Sequence, residues 1–360
     1  MKETRYLKLL FFAPAPLPHS IALEEALEAR GHRVSYWYLY SKRDYYPWQK
    51  ANKKNTKLID KNPLSIFKVL RDAYDCDLAV IVGWHSIYQV VVAAYCFLLR
   101  KKVVFWLDIP ESPKPGLKRK VKAVLLKLAD GYFLSGWSGR DIWQGSYNLP
   151  EERCFDFPYL EHRFERSTVL TCHSEMRQRT MDGRPMVVLV ANRFLKRKGY
   201  DVLSEALLRL PEYIFAQLEF EILGDGPELD RFESKLSDCE NVNFRGWVEY
   251  GDYIVALMNS DVYLHASLHE PFGIPPIDAM AVAKVVVSSN KVYSALDRIV
   301  TGQNGFLYEA GDPEKLANIL TWLVEHRSKL PDIGLAAYET AKAYGVEFNE
   351  KAIYRAAREG

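Results

Sequence analysis

The chain has 360 residues, 48% hydrophobic and 26% charged, the balance of a globular protein with enough apolar material for two cores. Lysine and arginine (48) exceed aspartate and glutamate (46) by only two, so no global field draws the chain onto nucleic acid. Disordered, collagen-like and low-complexity classes are excluded. The five cysteines are scattered, odd in number and lack a CxxC pair, which points to reduced thiols and away from a disulfide framework or a zinc site.

Near the N-terminus, residues 7–13 hold six apolar residues interrupted by Lys8, too short a run for a secretory signal core. Residues 7–12 read as a first strand, 19–30 as a helix ended by Gly31-His32, and 34–39 as a second strand. In that strand Tyr36-Trp37-Tyr38-Leu39-Tyr40 alternates as core residues do. Its continuation, Tyr45-Tyr46-Pro47-Trp48, reads as a loop able to stack on an acceptor. Asp75-Cys76-Asp77 has the letters of a DxD metal site but precedes a strand at 78–82 instead of following one. The longest apolar stretch, 90–99, closes on Arg100-Lys101-Lys102; its ten residues are half of the about 20 that span a bilayer. A cytoplasmic protein is expected.

After a strand at 103–107, residues 114–128 hold six cations and no acid, with Leu117, Val121, Val124, Leu125 and Leu128 at helical spacing. This segment reads either as a peripheral contact with the inner face of a membrane or as a packing helix with a solvated face. A polar stretch, 168–185, ends in the turn signal Asp182-Gly183 and marks a domain boundary. Strands at 186–190, 218–223, 261–265, 285–288 and 305–308 then alternate with helices at 200–210, 228–236, 276–283 and 313–325. Alternation of this kind predicts an α/β protein of two doubly wound Rossmann-like domains, 1–180 and 181–340, facing across a cleft.

The most informative stretch is His269-Glu270-Pro271-Phe272-Gly273-Ile274-Pro275-Pro276-Ile277-Asp278. Glu270 falls in a loop and Asp278 in the first turn of the following helix. Gly273 lets the backbone approach a ligand, and a helix N-terminus offers free N–H groups to an anion. Carboxylates beside an anion site suit a sugar or ribose joined to phosphate; helix capping alone also accounts for Asp278. The second constellation, Arg193-Phe194-Leu195-Lys196-Arg197-Lys198-Gly199, follows the strand 186–190. Arg193 offers a bidentate fork and Lys198 a point charge to a diphosphate, unless the run is a solvated loop. Gly224-Asp225-Gly226-Pro227 ends a further strand. No GxGxxG follows the first strand, which argues against a dinucleotide oxidoreductase.

Together these motifs resemble the retaining glycosyltransferases of glycosyltransferase family 4, which have the GT-B fold. The resemblance runs from Arg193 and Lys198-Gly199 through Gly224-Asp225-Gly226-Pro227, Asn241-Val242-Asn243-Phe244-Arg245-Gly246, Glu270-Pro271-Phe272-Gly273 and Asn304-Gly305-Phe306-Leu307 to Gly311-Asp312-Pro313-Glu314. In the first half it covers only the strand–helix plan and Arg30-Gly31-His32-Arg33-Val34. It implies a nucleoside-diphosphate sugar of UDP or GDP type as donor, with neither cofactor nor metal. Arg193 and Lys198 would hold the diphosphate and Glu270 the sugar hydroxyls. Phe272, Gly273 and Ile274 would offer backbone N–H groups, Asp278 would hold the ribose, and Gly224 would line the donor site. A saccharide, lipid-linked or small glycoside acceptor, a place in surface polysaccharide or glycolipid synthesis, and a helix in 341–360 that returns to the first domain are implied as well.

Three departures fall within this pattern. Asp278 stands where family members usually have Glu. The usual glycine-rich loop after the first strand is replaced by Ala13-Pro14-Ala15-Pro16-Leu17-Pro18-His19. Many members carry a histidine just after the strand at 103–107, where this chain reads Trp106-Leu107-Asp108. Asp108, His85 and His19 are therefore the acceptor-side candidates. The second reading is a non-catalytic nucleotide-sugar-binding protein with a degenerate acceptor site.

Overall fold

The structure, a computed structural model, describes residues 6–40, 57–59, 63–83, 86–108, 116–160 and 164–359. It divides into two compact units, Met1–Leu160 with Tyr344–Gly360, and Glu161–Ala343. Among the described residues the first unit has seven strands: β1 (Lys8–Ala13), β2 (Arg33–Tyr38), β3 (Lys57–Leu58), β4 (Leu78–Val82), β5 (Val103–Leu107), β6 (Gly131–Leu134) and β7 (Cys154–Asp156). They form one parallel sheet in the order β3-β2-β1-β4-β5-β6-β7. Leu-Ala-Val-Ile-Val in β4 and Val-Val-Phe-Trp-Leu in β5 are near-continuous apolar runs, as strands covered on both faces must be. Val69, Val92, Cys96 and Leu126 fill one side of the sheet. Leu23, Leu27 and the last helix, Val346–Glu359, fill the other through Ala352, Ile353 and Ala356.

The second unit repeats the plan with β8 (Met186–Ala191), β9 (Leu218–Leu223), β10 (Val242–Gly246), β11 (Val262–His265), β12 (Val285–Ser289) and β13 (Phe306–Tyr308). The order is β10-β9-β8-β11-β12-β13, again parallel. In this winding the chain reverses direction across the sheet between β8 and β11, the switch point where ligands sit in doubly wound folds. β9 alternates where β8 does not, because one face carries Glu219 and Glu221, paired with Asn243 and Arg245 of β10.

Two expectations are corrected here. The polar stretch 168–185 is not a linker: most of it belongs to the helix Arg166–Met181, which buries Val169, Cys172 and Met176. The units divide at Leu160 and Glu161, ahead of this helix, and not at 180. Asp75 and Asp77, with the letters of a metal site, are occupied structurally. Lys8 Nζ donates to Asp75 at 2.9 Å, and the Lys8 amide donates to Asp77 at 2.8 Å. Residues 45–48 lie outside the described residues.

Candidate functional site

In the second unit the loops after β8 and β11 are joined at the switch point. Gly199 has φ +72°, and a Cβ there would fall on the carbonyl oxygen of Ala266, just past β11. Glycine is thus what lets the two loops touch. The Leu268 amide donates to the Arg197 carbonyl at 2.8 Å, and Arg197 Nη1 donates to the His269 carbonyl at 3.1 Å.

Those contacts converge on Glu270. Its Oε2 accepts from Lys198 Nζ in a close ion pair, with Lys198 only 8% exposed, and from Arg197 Nη1 at 3.2 Å. Lys198 Nζ also donates to Asn192 Oδ1 at 2.8 Å. His265 is fully buried, with Nε2 3.7 Å from the same Glu270 oxygen. Burial holds the His265 ring below the ordinary histidine value, so the neutral imidazole is favoured. Asn192 Nδ2 lies 3.2 Å from its Nδ1 and donates to it, while the Tyr263 hydroxyl donates to the Ala191 carbonyl at 3.0 Å. Burial alone would raise the Glu270 carboxyl, but the His265 ring and the Lys198 ammonium outweigh it and hold the group well below the usual carboxylate range. Burial also draws Lys198 below the ordinary lysine value, against the pull of Glu270.

Arg193, half-buried, follows β8 and lies close enough to Lys198 for their charges to repel, so Arg193, Arg197 and Lys198 gather about one carboxylate. Such an excess suits a dianionic diphosphate. Gly224, at the end of β9 with φ +135°, would place a Cβ on the Asn192 carbonyl; it supports the loop that carries Lys198.

Gly273 begins the helix Ile274–Ala281 with φ +93°, and a Cβ there would meet Val292 at 2.7 Å and Glu270 Cγ at 3.1 Å. Phe272 is buried, with the Arg298 guanidinium 5.4 Å from its ring centroid. Pro275 and Pro276 remove two of the N–H groups a helix start ordinarily offers, leaving Gly273 and Ile274 as its amide donors. Asp278 is not in the first turn, as the sequence suggested, but is the helix's fifth residue. It is 1% exposed and accepts from the Tyr253 hydroxyl at 3.3 Å.

Two acceptor-side candidates share a place in the first unit. Asp108 follows β5 and accepts from Ser135 Oγ and Tyr159 OH, each at 3.0 Å. The Tyr159 ring packs edge-on against His19, 5.9 Å between centroids. His85 lies outside the described residues. The sequence reading missed Asn192, Arg197, His265 and Tyr159. Arg197 lay inside the basic run and His265 at a strand end, whereas nothing local marks Tyr159.

Residues 173–340 match the sequence model of the family of glycosyl transferases group 1, so the second unit carries a domain of that kind. Two curated relatives are the lipopolysaccharide core biosynthesis glycosyltransferase LpsE of Rhizobium meliloti and the sulfoquinovosyl transferase SQD2 of Arabidopsis thaliana. LpsE is 30% identical over 171 residues, 46% of this chain and 47% of its own. SQD2 is 29% identical over 174 residues, 47% of this chain and 33% of its own. The matches thus span about half the length of these relatives or less. Among solved structures, HepE of Anabaena in complex with UDP aligns over 96% of this chain and 98% of its own, at 21% identity and a TM-score of 0.74. The fold is therefore the GT-B architecture of two parallel-sheet, Rossmann-like domains.

Proposed function

We propose that this chain is a glycosyltransferase that moves a sugar from a nucleoside diphosphate to a hydroxyl acceptor, in the synthesis of a surface polysaccharide or a glycolipid. The observation that carries the reading is the Glu270 oxygen shared by Lys198 and Arg197 at the switch point of the second unit. Lys198 and Arg193 bind the donor's diphosphate, Glu270 orients the sugar hydroxyls, and the backbone of Phe272, Gly273 and Ile274 holds sugar or phosphate. Asp278 and Gly224 complete the donor site. As the sugar departs, charge builds on the phosphate, and cations fixed in place stabilise it more in the transition state than in the ground state.

Transfer proceeds with retention and without a metal: the departing phosphate takes the acceptor's proton, and no separate general base is needed. UDP is the preferred donor nucleotide, supported by the UDP complex of HepE. The names of LpsE and SQD2 support a saccharide or lipid acceptor, which the first unit receives through Asp108, His19 and Tyr159. The protein works in the cytoplasm, with residues 114–128 against the membrane's inner face.

The test is a thermal-shift and transfer panel with UDP, GDP, ADP and their sugars on wild type and Lys198→Ala. A nucleotide at about 100 times its Kd adds about 2.7 kcal/mol of stability; the variant loses that gain and the transfer. A nucleotide shift without turnover on any acceptor would favour the non-catalytic binder. No shift with any nucleotide refutes both.

A further inference from the structure

Four side chains of the second unit close a ring whose polarity is set at one corner. Lys198 Nζ can only donate, so the Asn192 atom 2.8 Å from it is the carbonyl oxygen, Oδ1. The amide then turns Nδ2, itself only a donor, to His265 Nδ1 at 3.2 Å. That nitrogen must offer a lone pair, and a neutral ring then carries its proton on Nε2, which stands 3.7 Å from Glu270 Oε2. Burial favours the neutral ring. The Tyr263 hydroxyl, 3.1 Å from Nδ1 and 3.0 Å from the Ala191 carbonyl, has one proton for two acceptors, so it follows the tautomer and does not set it. Lys198 Nζ closes the ring on the same Glu270 oxygen.

A separation of 3.7 Å is longer than a hydrogen bond, so here the imidazole N–H is a dipole aimed at a carboxylate that the cations hold. A diphosphate changes that balance. Asn192 and Glu270 take two of the three ammonium protons of Lys198; a phosphate oxygen takes the third and draws the cation away from Glu270. Arg197 is exposed, and an exposed ion pair holds a carboxylate weakly. His265 is fully buried at the end of β11, where no phosphate competes for its proton, and contacts of this kind tighten when a ligand arrives. The Glu270 backbone is already pinned, its amide donating to the Lys291 carbonyl at 2.9 Å, so only the side chain needs holding. All three donors address Oε2, and no described residue donates to Oε1. We propose that His265 is the positioning residue of Glu270: with the donor bound, its Nε2–H holds Oε2, and Oε1 is presented to the sugar hydroxyls. A neutral N–H orients the carboxylate without neutralising it, which keeps Oε1 a full-strength acceptor. This rests on the donor site proposed above and adds His265, with Asn192 as the residue that fixes its tautomer.

The test joins long-range nitrogen–proton NMR of the histidine rings in the whole chain to the kinetics of nucleotide release from whichever UDP, GDP or ADP sugar shifts the melt most. The His265 signals are identified by their loss in His265→Gln. Wild type should show a neutral ring with its proton on Nε2. Asn192→Asp, which still accepts from Lys198 but has no N–H for the ring, should move that proton to Nδ1. His265→Leu should lower kcat about tenfold to a hundredfold and change the donor's KM less than about threefold, because the diphosphate contacts remain. His265→Gln, whose side-chain N–H stands in for the ring's Nε2–H, should recover kcat to within about threefold of wild type. Unmoved signals from the other histidines show the variants folded, and the wild-type spectrum decides the tautomer whatever the variants do. A proton on Nδ1 in wild type, or equal losses in the Leu and Gln variants, overturns the proposal while a nucleotide shift leaves the donor site standing. No nucleotide shift, or a shift without release from any sugar, removes the transferase reading and this role with it.

Discussion

Glu270 is the residue on which the candidate site turns, because one carboxylate oxygen compensates Lys198 and Arg197 together. Removing one partner of a buried ion pair leaves an uncompensated charge and costs about 3–5 kcal/mol. Glu270→Gln is expected near the lower end, since Asn192 still accepts from Lys198. The folded-state pKa of Glu270 is depressed, so its stabilisation is present above the unfolded value and fades as pH falls through the folded one. The stability difference between wild type and Glu270→Gln, measured by urea denaturation, should therefore hold from neutral pH to about 5 and shrink below it. A difference that grows in acid would contradict the assignment. Lys198 and Glu270 were legible as single residues because glycines and prolines flank them. Their pairing was not, since 72 positions separate them and only the switch-point topology brings them together. His265 and Tyr159 escaped for the same reason: each gains its meaning from contacts remote in the chain.

At the level of elements, what the sequence revealed followed from length. β1, β4, β5, β8 and β12 are runs of five or six mostly apolar residues and were readable as buried strands. β3 has two residues and β7 three, too few for any period to register. The helix Arg166–Met181 buries only Val169, Cys172 and Met176, so its composition reads as a linker although its spacing is helical. The loop ends, by contrast, depend on single backbone positions. Gly224→Ala forces φ +135° on a residue with a Cβ and drives that atom into the Asn192 carbonyl. It should destabilise the second unit by about 2 kcal/mol or more and weaken nucleotide binding by displacing the Lys198 loop. Gly251→Ala is the matched control: it lies in the helix Tyr250–Asn259 with no atom within 4 Å of its would-be Cβ. That change should stabilise by about 0.4–1 kcal/mol. If the two variants melt alike, the close approach at Gly224 is not what fixes the loop.

On the scale of the whole molecule, the chain leaves its first unit after Leu160 and re-enters it at Tyr344. The helix Val346–Glu359 completes that unit's core and is not an appendage. Asn349 Nδ2 donates to the Pro158 carbonyl at 2.8 Å, and Glu350 accepts from Arg30 at 2.8 Å and pairs with buried His32 at 2.9 Å. Ile353 is fully buried among residues of β1, β4 and β5. Each unit has its own core and sheet, so a single unfolding free energy for the chain is not a defined quantity. Ile353→Ala should destabilise the first unit alone, by about 2–5 kcal/mol, whereas a bound nucleotide should stabilise the second alone. In calorimetry the variant then lowers one transition and leaves the nucleotide-induced rise of the other intact. A single transition moved by both the variant and the nucleotide would mean that the units unfold together, and that the last helix carries stability from one to the other.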